Sequence, residues 1–130
     1  MHIPPHDNDN RPIIDINDAK VPYAFFNRVT LNRDEEFVYE LKEYESCIVP
    51  ATGSIIVNVY SLDERLIGDR INNVWDGEPE GVYVPTGLTA KIKCACDQAE
   101  IFIAGAKYSE QLRPFYIMDK DLETVQYGSD

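Results

Sequence analysis

The sequence predicts a single all-β domain, a jelly roll or double-stranded β-barrel with an extended N-terminal arm. Three observations lead to this prediction. From residue 23 onward, apolar and polar residues alternate with a period near two. No stretch of ten or more residues keeps a helical period. About eight or nine short strands with Gly, Pro and Asp turns between them favour a closed barrel, because closure hides the strand edges.

The predicted strands follow one another along the chain with short turns between them. Gly53 is expected to end the third strand in a turn, and Gly68 suggests a bulge in the fifth. The seventh strand alternates most clearly, and it places Cys94 and Cys96 on one face. The segments are, in order, "YAFFNRVTL", "EEFVYELK", "SCIVPATG", "SIIVNVY", "ERLIGDRI", "VYV", "LTAKIKCAC", "AEIFIAGA" and "RPFYIM".

Composition divides the 130 residues into an arm, a barrel and a tail. Residues 1–20 are rich in Pro, Asn and Asp and predict an extended arm. Residues 21–118 predict the barrel, and residues 119–130 form a polar, acidic tail. We interpret the arm as a candidate partner-binding segment, held either by its own barrel as an added edge strand or by a neighbouring chain. Its apolar positions are Ile3, Pro4, Pro5, Ile13, Ile14 and Ile16.

The charge of the chain limits its partners. With 23 acidic and 12 basic side chains, the net charge is -11. Such a chain repels phosphate backbones and anionic membrane surfaces, so we expect protein partners and neither nucleic acid nor membrane. No apolar run has the length of a membrane span, and the start lacks a signal-peptide pattern. Three cysteines, an odd number, favour a reducing compartment and synthesis in the cytoplasm.

The residue types argue against a metal site and against nucleophilic catalysis. Histidine occurs only as His2 and His6, both in the arm, so an imidazole site inside the barrel is not expected. Same-face neighbours on a strand lie about 7 Å apart, so a bond between Cys94 and Cys96 should be strained. We therefore expect free thiols, no metal, no cofactor and no catalytic residue.

Aromatic residues are more numerous than a small core needs. Some should line a barrel mouth or a subunit interface. Trp75 and Tyr83, near Asp76 and Glu78, are candidates to stack on a sugar and hydrogen-bond it. Alternatively, Trp75 anchors its loop in the core, and the sequence leaves both interpretations open.

Residues 66–106, "LIGDRINNVWDGEPEGVYVPTGLTAKIKCACDQAEIFIAGA", resemble the first cupin half of the 5-deoxy-glucuronate isomerase family (KduI/IolB type). The residues that carry the likeness are Glu45, Gly53, Arg70, Trp75, the turn at 77–79, "YVPTG" at 83–87 and the pair at 99–100. The resemblance implies a cupin barrel. It also implies two-cupin enzymes that interconvert an aldose and a ketose acid, with the metal held by the second half.

The resemblance also indicates where metal ligands of a single cupin would fall. The two histidine positions of the usual pair correspond to Tyr39 and Leu41, and the histidine of the corner corresponds to Ala90. Only Glu45 is a possible ligand counterpart, and it is one residue out of register. The candidate ligand or interface residues are therefore Tyr39, Glu45, Arg70, Trp75 and Tyr83.

These observations lead to three functional hypotheses. The leading one is a non-catalytic jelly roll that binds or assembles, as a homo-oligomer or docked on a larger assembly through its arm. Its most specific form is a phage head-decoration or auxiliary capsid protein, found in the virion. The alternatives are a KduI/IolB-like sugar-acid isomerase or a non-catalytic subunit of one, and a carbohydrate-binding module.

Overall fold

The computed structural model of the chain describes residues 7–123 and contains eight β-strands. No α-helix occurs in this part, as the short periods of the sequence predict. A 3-10 turn, Asp119–Asp121, follows the last strand. The strands are β1 (Ala24–Asn32), β2 (Glu36–Glu40), β3 (Tyr44–Val59), β4 (Leu62–Arg70), β5 (Gly81–Val84), β6 (Thr89–Cys94), β7 (Gln98–Lys107) and β8 (Phe115–Ile117).

Two antiparallel sheets face each other and share β3. Sheet A has the order β1-β7-β3-β5-β8, and sheet B has the order β2-β6-β3-β4. Residues 44–52 of β3 pair with β7, and part of that segment also pairs with β5. Residues 53–59 of the same strand pair with β4 and β6. The all-β jelly-roll prediction is therefore confirmed.

β3 passes from one sheet to the other at Gly53, where the sequence had predicted a turn between two strands. That prediction is wrong, because the chain bends there without leaving the strand. Gly53 has a φ of 81°, a conformation that side chains rarely adopt. A Cβ at this position would also lie 2.7 Å from the Gln98 carbonyl oxygen and 2.8 Å from the Cys96 sulfur. Glycine is thus required both by the backbone and by its neighbours.

The core lies between the two sheets and is built from their inward-facing aliphatic residues. Burial of each such side chain contributes about 1.5–3 kcal/mol. The strands therefore alternate buried and outward positions, as a sheet with one packed face requires. The fully buried aliphatic residues include Val29, Ile48, Val82, Ile101 and Ile103 from sheet A and Ile55, Val57, Ile67 and Ile92 from sheet B.

The described part of the arm lies along the free edge of β1. Asn10 uses its side-chain amide like a peptide group: its oxygen accepts from the Thr30 N–H at 2.8 Å, and its nitrogen donates to the Thr30 carbonyl at 3.0 Å. Further on, Ile14 forms a β-bridge with Phe26. The arm therefore extends sheet A of its own chain by an irregular strand.

A buried tyrosine fixes the end of the arm. The Tyr44 hydroxyl accepts from the Asn17 N–H at 2.9 Å and donates to the Pro22 carbonyl at 2.6 Å. Ile16 packs against the core next to this point. The arm from residue 7 is thus docked on its own barrel, which is one of the two alternatives that the sequence left open. Three of the candidate arm residues, Ile3, Pro4 and Pro5, lie outside the described residues.

Candidate functional site

The inside of the barrel, where the pattern of a single cupin would place metal ligands, is filled by packed side chains. Tyr39 pairs with Ala90 across β2 and β6 and points inward. Its hydroxyl hydrogen-bonds the Ser46 hydroxyl at 2.7 Å. Burial raises the pKa of Tyr39, although the bond to Ser46 opposes this, so the phenol stays neutral. Leu41 and Ala90 are also buried. These positions belong to the core.

The described residues do not fit a metal centre. In residues 7–123, no three His, Cys, Asp or Glu side chains come together as metal ligands would. Glu45, the possible ligand counterpart, lies on the outer face of sheet A, because the inward position next to it is occupied by Ser46. One residue of offset on a strand places the side chain on the opposite face.

A shallow groove runs over the outer face of sheet A, between β3 and β7. We call it the outer groove; it measures about 340 Å³ and is lined by Glu45, Ser46, Cys47, Ala104, Gly105 and Ala106. Glu45 pairs with Ala106 and Cys47 with Ala104 across the two strands. Because alanine side chains are short, they leave the sheet open here between longer side chains on either side.

A carboxylate and a phenol meet at one side of the outer groove. β5 pairs with β3 so that Tyr83 lies beside Cys47. The Tyr83 hydroxyl donates to a Glu45 oxygen at 2.5 Å. Its ring stacks on Phe115 of β8 with a centroid distance of 5.1 Å, and Phe115 is 52% exposed. The pair is thus held by a sheet ladder on one side and by an aromatic stack on the other.

Glu45 is the acidic group on this side of the groove, and it acts on the two side chains beside it, Tyr83 and Cys47. Burial and the hydrogen bond to Glu45 raise the pKa of Tyr83. Burial and the same carboxylate raise the pKa of Cys47. Both neighbours are therefore neutral near pH 7, and Glu45 is a carboxylate oriented by a phenol. Such a group can accept a proton from a bound molecule.

The other candidate residues lie away from the groove. Arg70 is buried and donates to the Pro50 carbonyl at 3.0 Å and the Val74 carbonyl at 3.1 Å, so it fixes the loop between β4 and β5. Trp75 in that loop is 90% exposed and does not anchor it in the core. Sequence reasoning missed the groove residues Cys47, Ala104 and Ala106; the small residues "AGA" at 104–106 were the available signal.

The model of the KduI/IolB family matches residues 2–130. The chain belongs to the KduI/IolB family. Among its relatives is a 5-deoxy-glucuronate isomerase of Listeria monocytogenes serotype 4b (strain CLIP80459), which is 27% identical over 116 residues. That match covers 88% of this chain but 42% of the relative. The family resemblance predicted from residues 66–106 is therefore confirmed.

Solved structures place the fold among the cupins. An IolB-like protein from Salmonella typhimurium LT2 superposes with a TM-score of 0.75 at 22% identity, covering 83% of this chain and 41% of that one. An RmlC-like cupin of Methanocaldococcus jannaschii, described as a double-stranded β-helix, superposes with a TM-score of 0.55 at 15% identity. It covers 83% of this chain and 92% of that one. The chain spans about two fifths of the length of the curated relatives it matches.

The family corrects the leading functional hypothesis. The sequence favoured a non-catalytic assembly protein, in particular a phage head-decoration or capsid protein, and a chain that is not an enzyme. Both expectations are wrong, because the family match and the relatives point to sugar isomerases. Both expectations rested on the absence of histidine from the barrel strands, and that absence bears only on a metal site inside this barrel. The comparisons give no support for a location in a virion. Within residues 7–123, no helix is long and apolar enough to cross a membrane.

Proposed function

We propose that the chain takes part in the isomerisation of a sugar acid of the 5-deoxy-glucuronate class. The observation that carries this proposal is the family match over residues 2–130. The relatives are named for that reaction. Because the chain spans about two fifths of their length, we propose its substrate and its partners together with the reaction.

The reaction needs a base more than it needs any other group. Interconverting an aldose and a ketose moves a proton between two adjacent carbons, with no net oxidation. A carboxylate removes such a proton and returns it to the neighbouring carbon. In the outer groove Glu45 takes this role, and Tyr83 is a positioning residue whose hydrogen bond orients the carboxylate. The metal that the family implies does not fit the described residues, so no step is assigned to it.

A second copy of this chain is the proposed cover of the outer groove. An open groove leaves the base in water, and covering it strengthens electrostatic contacts inside. The surrounding face is suited to contact: Phe26 stacks on Phe102 at 5.7 Å, and Arg28 and Glu100 neutralise each other in a 2.8 Å ion pair. On a chain of net charge -11, such a face lets two copies meet without strong repulsion.

The direct test is an isomerase assay on the purified chain. 5-Deoxy-glucuronate is incubated with the protein, and proton NMR follows the loss of the aldose signal. We expect turnover, and we expect Glu45→Gln to lower its rate about 10²–10⁴-fold, the usual contribution of a general base.

The matched control is Glu40→Gln. Glu40 is an exposed carboxylate on sheet B, and its loss should leave the rate unchanged. Failure of the wild-type chain to turn over the sugar acid would overturn the proposed reaction. Equal rates for Glu45→Gln and the wild type would instead overturn the assignment of the base while leaving the reaction in place.

A further inference from the structure

Two cysteine sulfurs face each other where β6 ends. The Cys94 and Cys96 sulfurs are 3.9 Å apart. Cys94 is completely buried, whereas Cys96 is half-buried. The alternation of the sequence had suggested one continuous strand and a strained pair. The strand instead ends at Cys94 and the chain bends at Cys96, which brings the two sulfurs together.

Cys96 lines a pocket of about 290 Å³ at the bend of β3. The pocket is bordered by Gly53, Ser54 and Arg70 among other residues. The Ser54 N–H donates to the Cys96 sulfur at 3.3 Å. The missing Cβ at Gly53 makes room for this sulfur, since a Cβ there would lie 2.8 Å from it. A small molecule that enters the pocket therefore meets Cys96 before it meets Cys94.

The surroundings give the two sulfurs different tendencies to ionise. Burial opposes ionisation of Cys96, but hydrogen bonds from the Ser54 N–H and from the Cys94 thiol outweigh it and lower its pKa. Burial raises the pKa of Cys94. Of the two sulfurs, the accessible one at Cys96 is therefore the one that ionises more readily. An accessible thiolate beside a second thiol is the arrangement found at redox-sensitive cysteines.

We propose that Cys96 is an oxidation site for hydrogen peroxide and that Cys94 resolves it as a reversible disulfide. In the first step the Cys96 thiolate attacks one peroxide oxygen. The S–O bond forms, the O–O bond breaks, and hydroxide leaves and takes up a proton to become water. The sulfur is oxidised to a sulfenic acid while the peroxide is reduced.

In the second step the Cys94 sulfur attacks the sulfenic acid. The S–S bond forms, the S–O bond breaks, and a second water leaves with the proton of Cys94. The sulfurs must approach from 3.9 Å to about 2.0 Å. Because Cys96 lies in a bend outside the strand, this approach leaves the β6 ladder in place. The site does not depend on the isomerase proposal.

The third cysteine provides an internal control. Cys47 lies in the outer groove on the far face of sheet A, and burial and Glu45 raise its pKa. Its thiol is therefore the less reactive one towards peroxide. Cys47→Ser should leave the oxidation of the pair unchanged.

The experiment treats the reduced 130-residue chain with a small excess of hydrogen peroxide and counts free thiols, with intact mass as a second readout. We expect the count to fall from three to one and the mass to fall by two hydrogens, both reversed by dithiothreitol. Cys96→Ser should lose thiols about tenfold more slowly. Cys94→Ala, which keeps a small apolar side chain in the core, should stop at a sulfenic acid that dimedone captures.

Several outcomes would overturn the proposal. One is a wild-type chain that keeps all its thiols under these conditions. Another is a Cys96→Ser variant that reacts as fast as the wild type. A third is a disulfide that contains Cys47. Circular dichroism of each variant before oxidation separates a reactivity change from a folding defect.

Discussion

The two sheets of this barrel present different kinds of outer face. On sheet B, polar side chains satisfy one another: Lys91 pairs with Glu36 at 3.3 Å, and the Thr89 hydroxyl donates to a Glu40 oxygen at 3.2 Å. On sheet A the outward positions carry stacked aromatic rings and the alanines of the outer groove. Sheet B also exposes Val38 and Leu66, each to 56%, so the two faces differ in their charged pairs, aromatic stacks and alanines rather than in apolar content alone.

The difference comes from side chains alone, because both sheets have the same antiparallel ladder and share β3. Contiguous apolar surface on a soluble protein marks an interaction site. Exposed ion pairs such as Lys91–Glu36 are worth little and keep a face solvated. A functional interpretation of this fold therefore depends on which face the small and aromatic residues occupy. Four substitutions with matched controls test that contrast.

The largest effect is expected at Gly53, where β3 passes from sheet A to sheet B. Gly53→Ala places a Cβ 2.7 Å from the Gln98 carbonyl in a strand with a φ of 81°. We expect a loss of roughly 3–5 kcal/mol in unfolding free energy, from backbone strain and overpacking together. Gly87→Ala is the control: its φ is 78°, but its nearest neighbour is a flexible Gln111 nitrogen at 3.6 Å. It should cost about 1 kcal/mol. Urea unfolding measures both, and equal losses would contradict the role of the bend.

The second effect concerns association through sheet A. Ala104→Arg places a charge in the outer groove, and we expect the dimer dissociation constant to rise about 100-fold, or about 2.7 kcal/mol. Asn58→Arg places the same charge on the outer face of sheet B, where it should have no effect. Sedimentation velocity over a concentration series gives both constants. A wild-type chain that stays monomeric throughout would refute the proposed cover.

The third effect concerns the pair of Glu45 and Tyr83. Tyr83→Phe removes their hydrogen bond and should cost about 1 kcal/mol at neutral pH. Burial and Glu45 raise the pKa of Tyr83 above its ordinary value of 10.0. The folded chain therefore keeps this proton longer than the unfolded chain. The resulting stability is complete below the ordinary tyrosine pKa and is lost as the pH rises through the raised pKa of the folded state.

Urea unfolding between neutral and alkaline pH checks this sign. The wild-type free energy should fall more steeply at alkaline pH than that of Tyr83→Phe. Thr89→Val, which removes the bond to Glu40 on sheet B, should cost less than about 0.5 kcal/mol and keep the wild-type slope. Parallel slopes for Tyr83→Phe and the wild type would be evidence against the described environment of Tyr83.

The smallest effect compares one ion pair on each face. Arg28 donates two hydrogen bonds to one Glu100 oxygen, at 3.1 and 2.8 Å, with about a third of each side chain exposed. Arg28→Met should cost about 0.5–1 kcal/mol. Lys91→Met on sheet B, where the pair is more exposed, should cost about 0.3 kcal/mol or less. Thermal unfolding at low salt ranks the two, and the reverse order would contradict the contrast between the faces.

Much of the fold could be predicted from alternation, because a strand with one packed face must alternate. The prediction of strand boundaries failed at positions where the local sequence is compatible with two different structures. A glycine between two apolar runs suits a hairpin turn as well as a bend inside one strand, and only the pairing of β3 with strands of both sheets decides for the bend. At Cys96 the alternation continues, but the Ala95 N–H donates to the Ser54 carbonyl at 2.9 Å and the Arg33 N–H donates to the Asp97 carbonyl at 3.0 Å, and alternation does not reveal these backbone bonds of a turn.

The candidate site was harder to predict than the fold. Glu45 and Tyr83 are 38 residues apart in the sequence, and they meet only because β5 pairs with β3 in one register. Two residues that carry the resemblance lie away from the candidate site. Arg70 is buried and contacts its loop, whereas Trp75 is exposed to water. A family motif thus carries structural and functional residues together, and sequence alone does not separate them.

The asparagine that lies against Thr30 has a consequence for how this protein avoids fibrils. An outermost strand with free amides and carbonyls invites strands of other molecules to add to it without limit. Here a side-chain amide and a short piece of the same polypeptide already occupy those groups on β1. Growth by strand addition is therefore disfavoured on that border of the sheet.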